Sequence, residues 1–461
     1  MGNDATSGGA RPPRRREQLW SATFVVIIGV SFFLFVTGQG LNGGLAVYVE
    51  RVGGTATFAG LLSAVFSVSA AVARLALGPV IDTRGRMIVA VCGTVVLVGG
   101  VALAGLVVND VALTIARVIQ GAGFAAATTA AATAAADVLP ASRMGEGFGY
   151  FGLGQAVAMS FGPALALAVL STDPPQNLFL LNAATTAVAL ALALSCRYER
   201  RPSVLPPDAV YRRRSEGRAN TEVGTAAKPA PADAALDDQS AAADRSGIEH
   251  PNGTAAEGGS ADAPRERGLR AFFEPRALPG AVPLLLMSTA VGFAISFAGL
   301  YGESLDVGNA GLFFSVSAIS MVAVRLASKS FMDTALPISI FAVATAAGVI
   351  AFLMLLFAPG ARALFYAAGL FYGVFLGLSV PVNQSVAVKN TPPERWGATN
   401  ALVLLANDLS IGGSSLVWGA LNDTLGFSAS IIGAIACMAA ALAVAWIIYP
   451  ADAKFGKTRG K

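Results

Sequence analysis

The sequence has few of the residues that catalytic and metal-binding proteins use. Among 461 residues there are one His and three Cys, and only 13% of the chain is charged. His250 lies in a polar stretch, while Cys92, Cys196 and Cys437 lie inside or at the end of apolar runs. Metal catalysis, a Ser-His triad and a disulfide framework are therefore not expected. We expect neither a cofactor nor an enzymatic activity.

The abundant component is apolar sequence, at 54% of residues with a mean hydropathy of +0.63. A membrane span needs about 20 mostly apolar residues, and continuous rather than alternating runs indicate helices. This pattern predicts an all-α membrane protein and excludes soluble nucleic-acid-binding classes. The twelve predicted spans are 19–49, 57–79, 87–108, 111–135, 146–170, 177–196, 279–301, 309–331, 335–357, 363–388, 397–420 and 426–449.

Basic residues divide the chain and orient it. Alternate short loops carry Arg84, Arg86, Arg143, Lys389 and Arg395, and both termini are basic, whereas the opposite loops contain only Arg51 and Arg362. This bias places the basic loops and both termini in the cytoplasm. The long interval between the sixth and seventh spans is rich in Ala, Asp, Pro, Gly and Ser, a composition typical of disorder. The predicted organisation is a tail (1–18), a six-helix bundle (19–198), a disordered cytoplasmic linker (199–276), a second six-helix bundle (277–450) and a tail (451–461).

The two bundles have related sequences. At an offset of 251, Arg74-Leu75-Ala76 matches Arg325-Leu326-Ala327, and Asp82-Thr83 matches Asp333-Thr334. Charged residues in a shared register are rare in apolar helices, so the chain is predicted to be a duplicated six-helix unit, as in many secondary transporters. Because Arg74 and Arg325 are symmetric, we expect a structural role shared by both halves.

Two motifs resemble those of a known family. Residues 78–86, Gly-Pro-Val-Ile-Asp-Thr-Arg-Gly-Arg, resemble the signature loop of the major facilitator superfamily, Gly-x-x-x-Asp-Arg-x-Gly-Arg. Residues 117–123, Arg-Val-Ile-Gln-Gly-Ala-Gly, are similar to its Arg-x-x-Gln-Gly-x-Gly motif. The resemblance covers the chain apart from its tails and linker, and it implies the major facilitator fold with two pseudo-symmetric bundles. Thr83 departs from the family's Arg, which stands one position later as Arg84.

The fifth span resembles an antiporter motif of the same family. Gly149, Ala158, Gly162-Pro163 and Ala166 have the spacing of Gly-x8-Gly-x3-Gly-Pro-x2-Gly-Gly, with Ala at two glycine positions and Leu167 at the last. This resemblance favours efflux over uptake. The alternative is that Gly162 and Pro163, like Gly121 in the fourth span, only allow helices to approach closely.

The resemblance also implies a cytoplasmic gate. It places Asp82 at the start of the eleventh helix, near 395–397, and the repeat places Asp333 at the start of the fifth, near 143–145. A carboxylate at an open helix N-terminus is favourable, and such contacts would break when the cytoplasmic side opens. The alternative is that Asp82 is a solvated turn residue. The predicted gating residues are Gly78, Asp82, Arg84, Gly85, Arg86 and Asp333.

Charged residues within spans are the candidates for proton coupling. Asp408 lies about 17 Å into the eleventh helix, near the midplane, where an acid can carry a proton or bind a cationic substrate. Glu303, near the outer end of the seventh helix, is the second candidate. For Arg117 the resemblance implies proton coupling or helix positioning, with Gln39 or Gln120 as neighbours. The alternatives are hydrogen bonds from Asp408 to Asn400, Asn407 or Ser410, and snorkelling of Arg117 to the surface.

Amide and aromatic residues on the first, fourth, fifth, seventh, tenth and eleventh spans are the candidates for a substrate cavity. Such a lining suits an amphipathic organic solute, although each aromatic side chain also fits ordinary packing. The candidates are Gln39, Asn42, Gln120, Gln155, Phe293, Phe297, Tyr301, Tyr372, Asn383 and Asn407.

These observations favour a proton-driven efflux antiporter of small organic compounds that works by alternating access. We expect a monomer in the plasma membrane, with a small-molecule substrate, protons and the lipid bilayer as its partners and no nucleic acid. The alternatives are a proton-coupled uptake symporter for a metabolite and a non-transporting sensor that uses the linker as its output.

Overall fold

A computed structural model describes residues 18–107, 109–171, 174–213, 215–216, 274–392 and 395–449. A few side chains within these ranges lie outside the description, among them those of Asp82, Asp333 and Asn400. Nearly all of the predicted tails and most of the predicted linker also lie outside it.

The described residues form twelve α-helices that are long and apolar enough to span a membrane. Their ends differ from the predicted runs by at most five residues, so the predicted all-α membrane fold is confirmed. The helices are α1 (Ala22–Arg51), α2 (Ala56–Arg84), α3 (Arg86–Leu106), α4 (Asp110–Val138), α5 (Met144–Leu170), α6 (Asn177–Ser195), α7 (Leu278–Ser304), α8 (Gly311–Thr334), α9 (Pro337–Phe357), α10 (Arg362–Lys389), α11 (Trp396–Leu425) and α12 (Phe427–Ile448).

Polar side chains fix several helix starts. The side chains of Ser21, Thr55 and Asn109 accept hydrogen bonds from backbone N–H groups three residues later and cap α1, α2 and α4. Gly85 forms the tight turn between α2 and α3 with φ +98°, a conformation that favours glycine. These caps and turns allow neighbouring spans to follow each other closely.

Each half packs by the same scheme. In the N-terminal half, α3 packs on α4 and α6, and α1 packs on α5 and α6. In the C-terminal half, the helices six positions later repeat these pairs: α9 packs on α10 and α12, and α7 packs on α11 and α12. The two halves meet through α2 with α11, α5 with α8, and α1 with α7. The structure thus has two pseudo-symmetric six-helix bundles.

The start of the predicted linker is folded. Residues Pro202–Val204 form a 3-10 helix, Leu205 and Ala209 are buried, and Ala209 forms a β-bridge with Pro140. The ring of Tyr211 lies 5.2 Å from that of Tyr198. The prediction of disorder from residue 199 is therefore wrong for 199–213, because a few apolar residues anchor this stretch and the average composition hides them.

Candidate functional site

Two polar contacts join the halves at one end of the bundle. We name this the outer end, after the charge-based prediction; it contains the end of α1 and the start of α2, and the opposite end is the inner end. Arg51 Nη2 lies 2.7 Å from Glu303 Oε1, which links α1 to α7. Asp423 at the end of α11 accepts hydrogen bonds from Ala56 N at 3.1 Å, Thr57 N at 2.7 Å and Thr57 Oγ1 at 2.6 Å. This carboxylate caps the N-terminus of α2 from the other half.

Glu303 lies near the outer end of α7, as the sequence-based prediction placed it. It forms a partly exposed ion pair there, and its role as a second proton-coupling acid stays a prediction. A carboxylate so placed is a contact of the outer closure. It lies far from the middle of the membrane, because α7 ends at the next residue, Ser304.

Below this closure, α2 and α11 approach along a seam of small residues. A Cβ atom on Gly419 would lie 2.5 Å from Ala56 O, and one on Gly60 would lie 3.0 Å from Ser415 C. Gly412 contacts Ser67, where an added Cβ would overlap the serine side chain. Since glycine alone permits this backbone approach, the seam keeps the halves together on the outer side.

The deepest charges of the two halves meet at the inner end of this seam. Arg74 Nη1 of α2 lies 3.0 Å from Asp408 Oδ2 of α11. Both side chains are mostly buried, with 15% and 22% of their surfaces exposed. Arg74 lies about 27 Å along α2 from its outer end, which places the pair inside the membrane-spanning region.

The partner of Asp408 was not among those that the sequence suggested. The side chain of Asn400 lies outside the described residues. Asn407 instead accepts a hydrogen bond from Ser288 at 2.8 Å, and Ser410 donates to the backbone of Leu285. Pairing with Arg74 neutralises Asp408, so its predicted use as a site for a cationic substrate loses support.

Arg117 is fully enclosed by the N-terminal half. Its Nε donates to Leu62 O at 3.1 Å, its Nη1 donates to Gln120 Oε1 at 3.1 Å, and its Nη2 donates to Asn42 Oδ1. The guanidinium carbon lies 4.4 Å from the centre of the Phe66 ring, a cation–π contact. Arg117 is 2% exposed, so it does not snorkel to the surface. Its hydrogen bonds connect α4 to α1 and α2.

The predicted neighbours of Arg117 are partly corrected by this cluster. Gln120 contacts it as expected and also donates to Gly100 O at 3.0 Å. Gln39 does not contact it; Asn42, one turn later on α1, takes that place. Gln39 Oε1 is buried and has no hydrogen-bond partner among the described residues.

The glycine and proline candidates lie at helix contacts within the N-terminal half. A Cβ on Gly121 would lie 3.0 Å from Ser69 Cβ of α2. On α5, Gly162 lies against the α1 backbone, where a Cβ would be 2.6 Å from Val36 O, and Pro163 packs against Gly43. Nearby, Gln155 donates to Ser31 Oγ at 3.0 Å.

Five cavity candidates are buried inside the C-terminal half. Phe293 packs against Phe352 of α9, with ring centres 5.7 Å apart. A hydrogen bond of 2.8 Å runs from the Tyr301 hydroxyl to Leu355 O, and Tyr449 donates to Asn383 Oδ1 at 3.0 Å. These contacts belong to their own bundle, and the role of these residues in a substrate cavity stays a prediction. The five are Phe293, Phe297, Tyr301, Tyr372 and Asn383.

The predicted cytoplasmic gate is described only in part. The side chains of Asp82 and Asp333 lie outside the described residues, as do Gly78 and Gly397, so the two gate contacts stay predictions. Arg84 is exposed at the end of α2. At the expected receiving ends, Arg143 pairs with Glu146 at 2.8 Å, and Arg395 pairs with Glu274 at 2.9 Å.

An acidic cluster beside the signature loop was missed by the sequence reasoning. Arg86 Nε lies 2.9 Å from Asp137 Oδ2 at the end of α4. Glu199 accepts from Arg86 N at 2.6 Å and Met87 N at 3.1 Å, and so caps α3. Tyr198 donates to Asp137 at 3.2 Å, and burial raises the pKa of this phenol. An acid directly after the sixth apolar run was the available signal for Glu199.

Comparison with known proteins identifies the family of this chain. The sequence model of the Major Facilitator Superfamily matches residues 19–414. The chain belongs to this superfamily. An uncharacterised transporter of the superfamily from Methanocaldococcus jannaschii is 27% identical over 144 residues, which cover 31% of this chain and 35% of that protein. The chain therefore aligns with only about a third of that relative's length.

Solved structures of other superfamily transporters share the fold. The crystal structure of the nucleoside transporter NupG has a TM-score of 0.63 at 13% identity, covering 93% of this chain and 98% of that one. A D-xylose-proton symporter has a TM-score of 0.64 at 15% identity, covering 95% and 98%. Identity this low supports the fold alone. The chain is a multi-pass membrane protein of the Major Facilitator Superfamily.

Proposed function

We propose that this superfamily member is a proton-coupled secondary transporter that exports small amphipathic organic compounds by rocking of its two halves. The observation that carries the proposal is the ion pair between Arg74 and Asp408, which joins the halves inside the membrane-spanning region. The proposed setting is the plasma membrane, with both termini in the cytoplasm and the protein as a monomer.

Proton uptake by Asp408 would weaken the contact between the halves. At an effective dielectric constant of about 20, unit charges about 4 Å apart attract each other by about 4 kcal/mol. Reversing a two-state equilibrium from 1:99 to 99:1 takes about 5.5 kcal/mol, so loss of this attraction is large enough to shift the rocking equilibrium substantially. In this proposal, the described contacts are those of the state with a closed outer end and an ionised Asp408.

The direction of transport rests on the fifth helix. Its partial antiporter motif places Gly162 and Pro163 against α1, and this close packing suits a rigid N-terminal half. Uptake by symport uses the same proton site, and the D-xylose-proton symporter shares the fold. Inside-out vesicles with an imposed pH gradient separate the two: antiport drives compound and protons in opposite directions, and symport drives them together.

Coupling can be tested without knowing the substrate. Spin labels at Val52 and Leu425, at the outer ends of α1 and α11, are introduced after replacement of the three native cysteines, and their separation is measured in nanodiscs between pH 8 and pH 5. We expect the outer end to open as the pH falls, because protonation breaks the pair. Asp408→Asn, which imitates the protonated acid, should give the open distribution at every pH.

Asp306→Asn is the matched control for this experiment. Asp306 is an exposed acid whose only described side-chain partner is Arg362, 3.2 Å away. This variant should keep the pH response of the wild type. If Asp408→Asn also keeps the wild-type response, Asp408 is not the coupling site.

A further inference from the structure

Arg325 is the counterpart of Arg74 in the second half, and it points toward the seam between α8 and α5. It follows Gly311 by about four helical turns and lies within about 40° of the same face of α8. That face meets α5, since a Cβ on Gly311 would lie 2.8 Å from Ala164 O. Arg325 therefore faces α5 across the halves as Arg74 faces α11.

Helix α5 has no acidic residue at the position that would face Arg325. At the offset of 252 that aligns α5 with α11, Asp408 corresponds to Ala156 and Asn407 to Gln155. The one acid of α5, Glu146, lies two residues from its inner end. The guanidinium has no hydrogen-bond or ion-pair partner among the described residues, and its Nε is buried.

The other charged residues inside the spans do not compensate the positive charge of Arg325. Four charged residues lie more than six positions from either end of their helix: Arg74, Arg117, Arg325 and Asp408. Arg74 neutralises Asp408, while Arg117 is surrounded by neutral oxygen atoms and the Phe66 ring. The interior thus carries three cations against one anion, and Arg325 is the cation for which the described residues supply no ligand. A buried charge of this kind is costly unless something pairs with it.

On the inner side, one face of α5 has no described neighbour. Gly149 lies five turns from Leu167, on the same face of α5, and Leu167 contacts Gly299 and Gly311 of the other half. Gly149 is exposed, and no atom of the described residues lies within 4 Å of a Cβ built there. This face of α5 thus contacts the other half on the outer side and is uncovered about 10 Å inward of Ala156.

We propose that Arg325 binds the acidic group of an organic anion that enters between α5 and α8 from the inner end. A planar guanidinium binds carboxylate, sulfonate or phosphate oxygens in a two-pronged geometry, and in a low-dielectric site this contact selects strongly against cations. The inference rests on the proposed transport function and names its substrate class. It departs from the expectation that Arg74 and Arg325 share one structural role, because Arg74 has an ion-pair partner and Arg325 has none among the described residues.

Ligand-dependent thermal unfolding of the purified protein in detergent tests this proposal. The probes are 1-naphthoate and 1-naphthylmethylammonium, which share a ring system and differ in charge. We expect naphthoate to stabilise the wild type in a saturable manner and the ammonium probe not to do so. Arg325→Gln should weaken naphthoate binding by about tenfold or more, and Arg325→Lys should retain part of it. Arg362→Gln removes an exposed arginine at the outer end and should bind naphthoate like the wild type.

Three outcomes would overturn the proposal: no stabilisation by naphthoate, equal stabilisation by the ammonium probe, or unchanged naphthoate binding in Arg325→Gln. Binding in detergent needs neither a pH gradient nor a transport direction. Failure here would therefore leave the pH response of Asp408 untouched, and failure of the Asp408 experiment would leave charge-selective binding at Arg325 testable.

Discussion

Single arginines inside the spans show how much a residue's surroundings decide its role. Arg117 and Arg325 have the same side chain at similar depth, yet Arg117 has three donors satisfied by the protein and Arg325 has none among the described residues. The sequence predicted that both lie within helices, because the apolar runs around them are unmistakable. It could not supply their partners, since Arg74 and Asp408 are joined only by tertiary packing.

At the residue scale, Glu274 gives a pH-dependent prediction. The hydrogen bond from Arg395 holds the pKa of this carboxyl below its ordinary value of 4.5. Because the folded pKa is the lower one, the stabilisation is fully present above pH 4.5 and is lost as the pH falls through the lowered value. Glu274→Gln should therefore lower the melting temperature at pH 7, and the difference from the wild type should narrow below pH 4.5.

Thermal unfolding of both proteins in the same detergent from pH 7 to pH 3.5 measures this difference. Glu146→Gln is a suitable comparison, because its pair with Arg143 is exposed and such pairs contribute about 0–1 kcal/mol. A gap between wild type and Glu274→Gln that stays constant with pH would show that the Arg395 contact does not stabilise the fold through the ionised carboxyl.

At the scale of helices, the sequence predicted where the spans lie but not which side of each helix packs against which neighbour. Long apolar runs predicted all twelve helices, because lipid forces backbone groups to pair within each span. The aromatic residues of α7 and α10 were assigned to a cavity, although an aromatic ring satisfies a packed bundle equally well. The seam between α2 and α11 was not predicted, since glycines occur throughout the spans and only the fold shows which ones meet another helix.

Neighbouring glycines on α11 allow a direct test of that seam. A side chain at Gly412 would overlap Ser67 of α2, whereas a Cβ at Gly413 would meet no atom of the described residues within 4 Å. Gly412→Val should therefore push the halves apart, while Gly413→Val should leave them in place. Spin-label distances between Val52 and Leu425 would show a larger outer separation in the first variant alone. Equal distances in both variants would contradict a close seam.

At the scale of the whole molecule, duplication explains both the similarity and the difference of the halves. The same helix pairs recur six helices apart, and Arg74 and Arg325 occupy matching positions. The opposing helices have diverged, with Asp408 on α11 and Ala156 on α5. One seam contains the Arg74–Asp408 ion pair, and the other contains Arg325, which has no partner among the described residues. A symmetric fold thereby has two chemically different seams between its halves.

The outer closure as a whole should depend on Asp423. Asp423→Ala removes three hydrogen bonds to the start of α2, a loss of about 1 kcal/mol for a helix cap, or about a fivefold change in the ratio of closed to open molecules. The separation of spin labels at Val52 and Leu425 should shift toward the open distribution in this variant. Asp306→Ala, which removes an exposed acid at the same end, should leave that separation unchanged.

The unpaired guanidinium of Arg325 also has an electrical consequence. A charge that moves across a membrane potential gains or loses about 2.3 kcal/mol per 100 mV, in proportion to the fraction of the field it crosses. A monovalent organic anion bound at Arg325 cancels this charge, so the anion-loaded protein rocks with one positive charge fewer than the anion-free protein. Membrane voltage would then act more strongly on the anion-free return step and influence the rate at which the transporter resets.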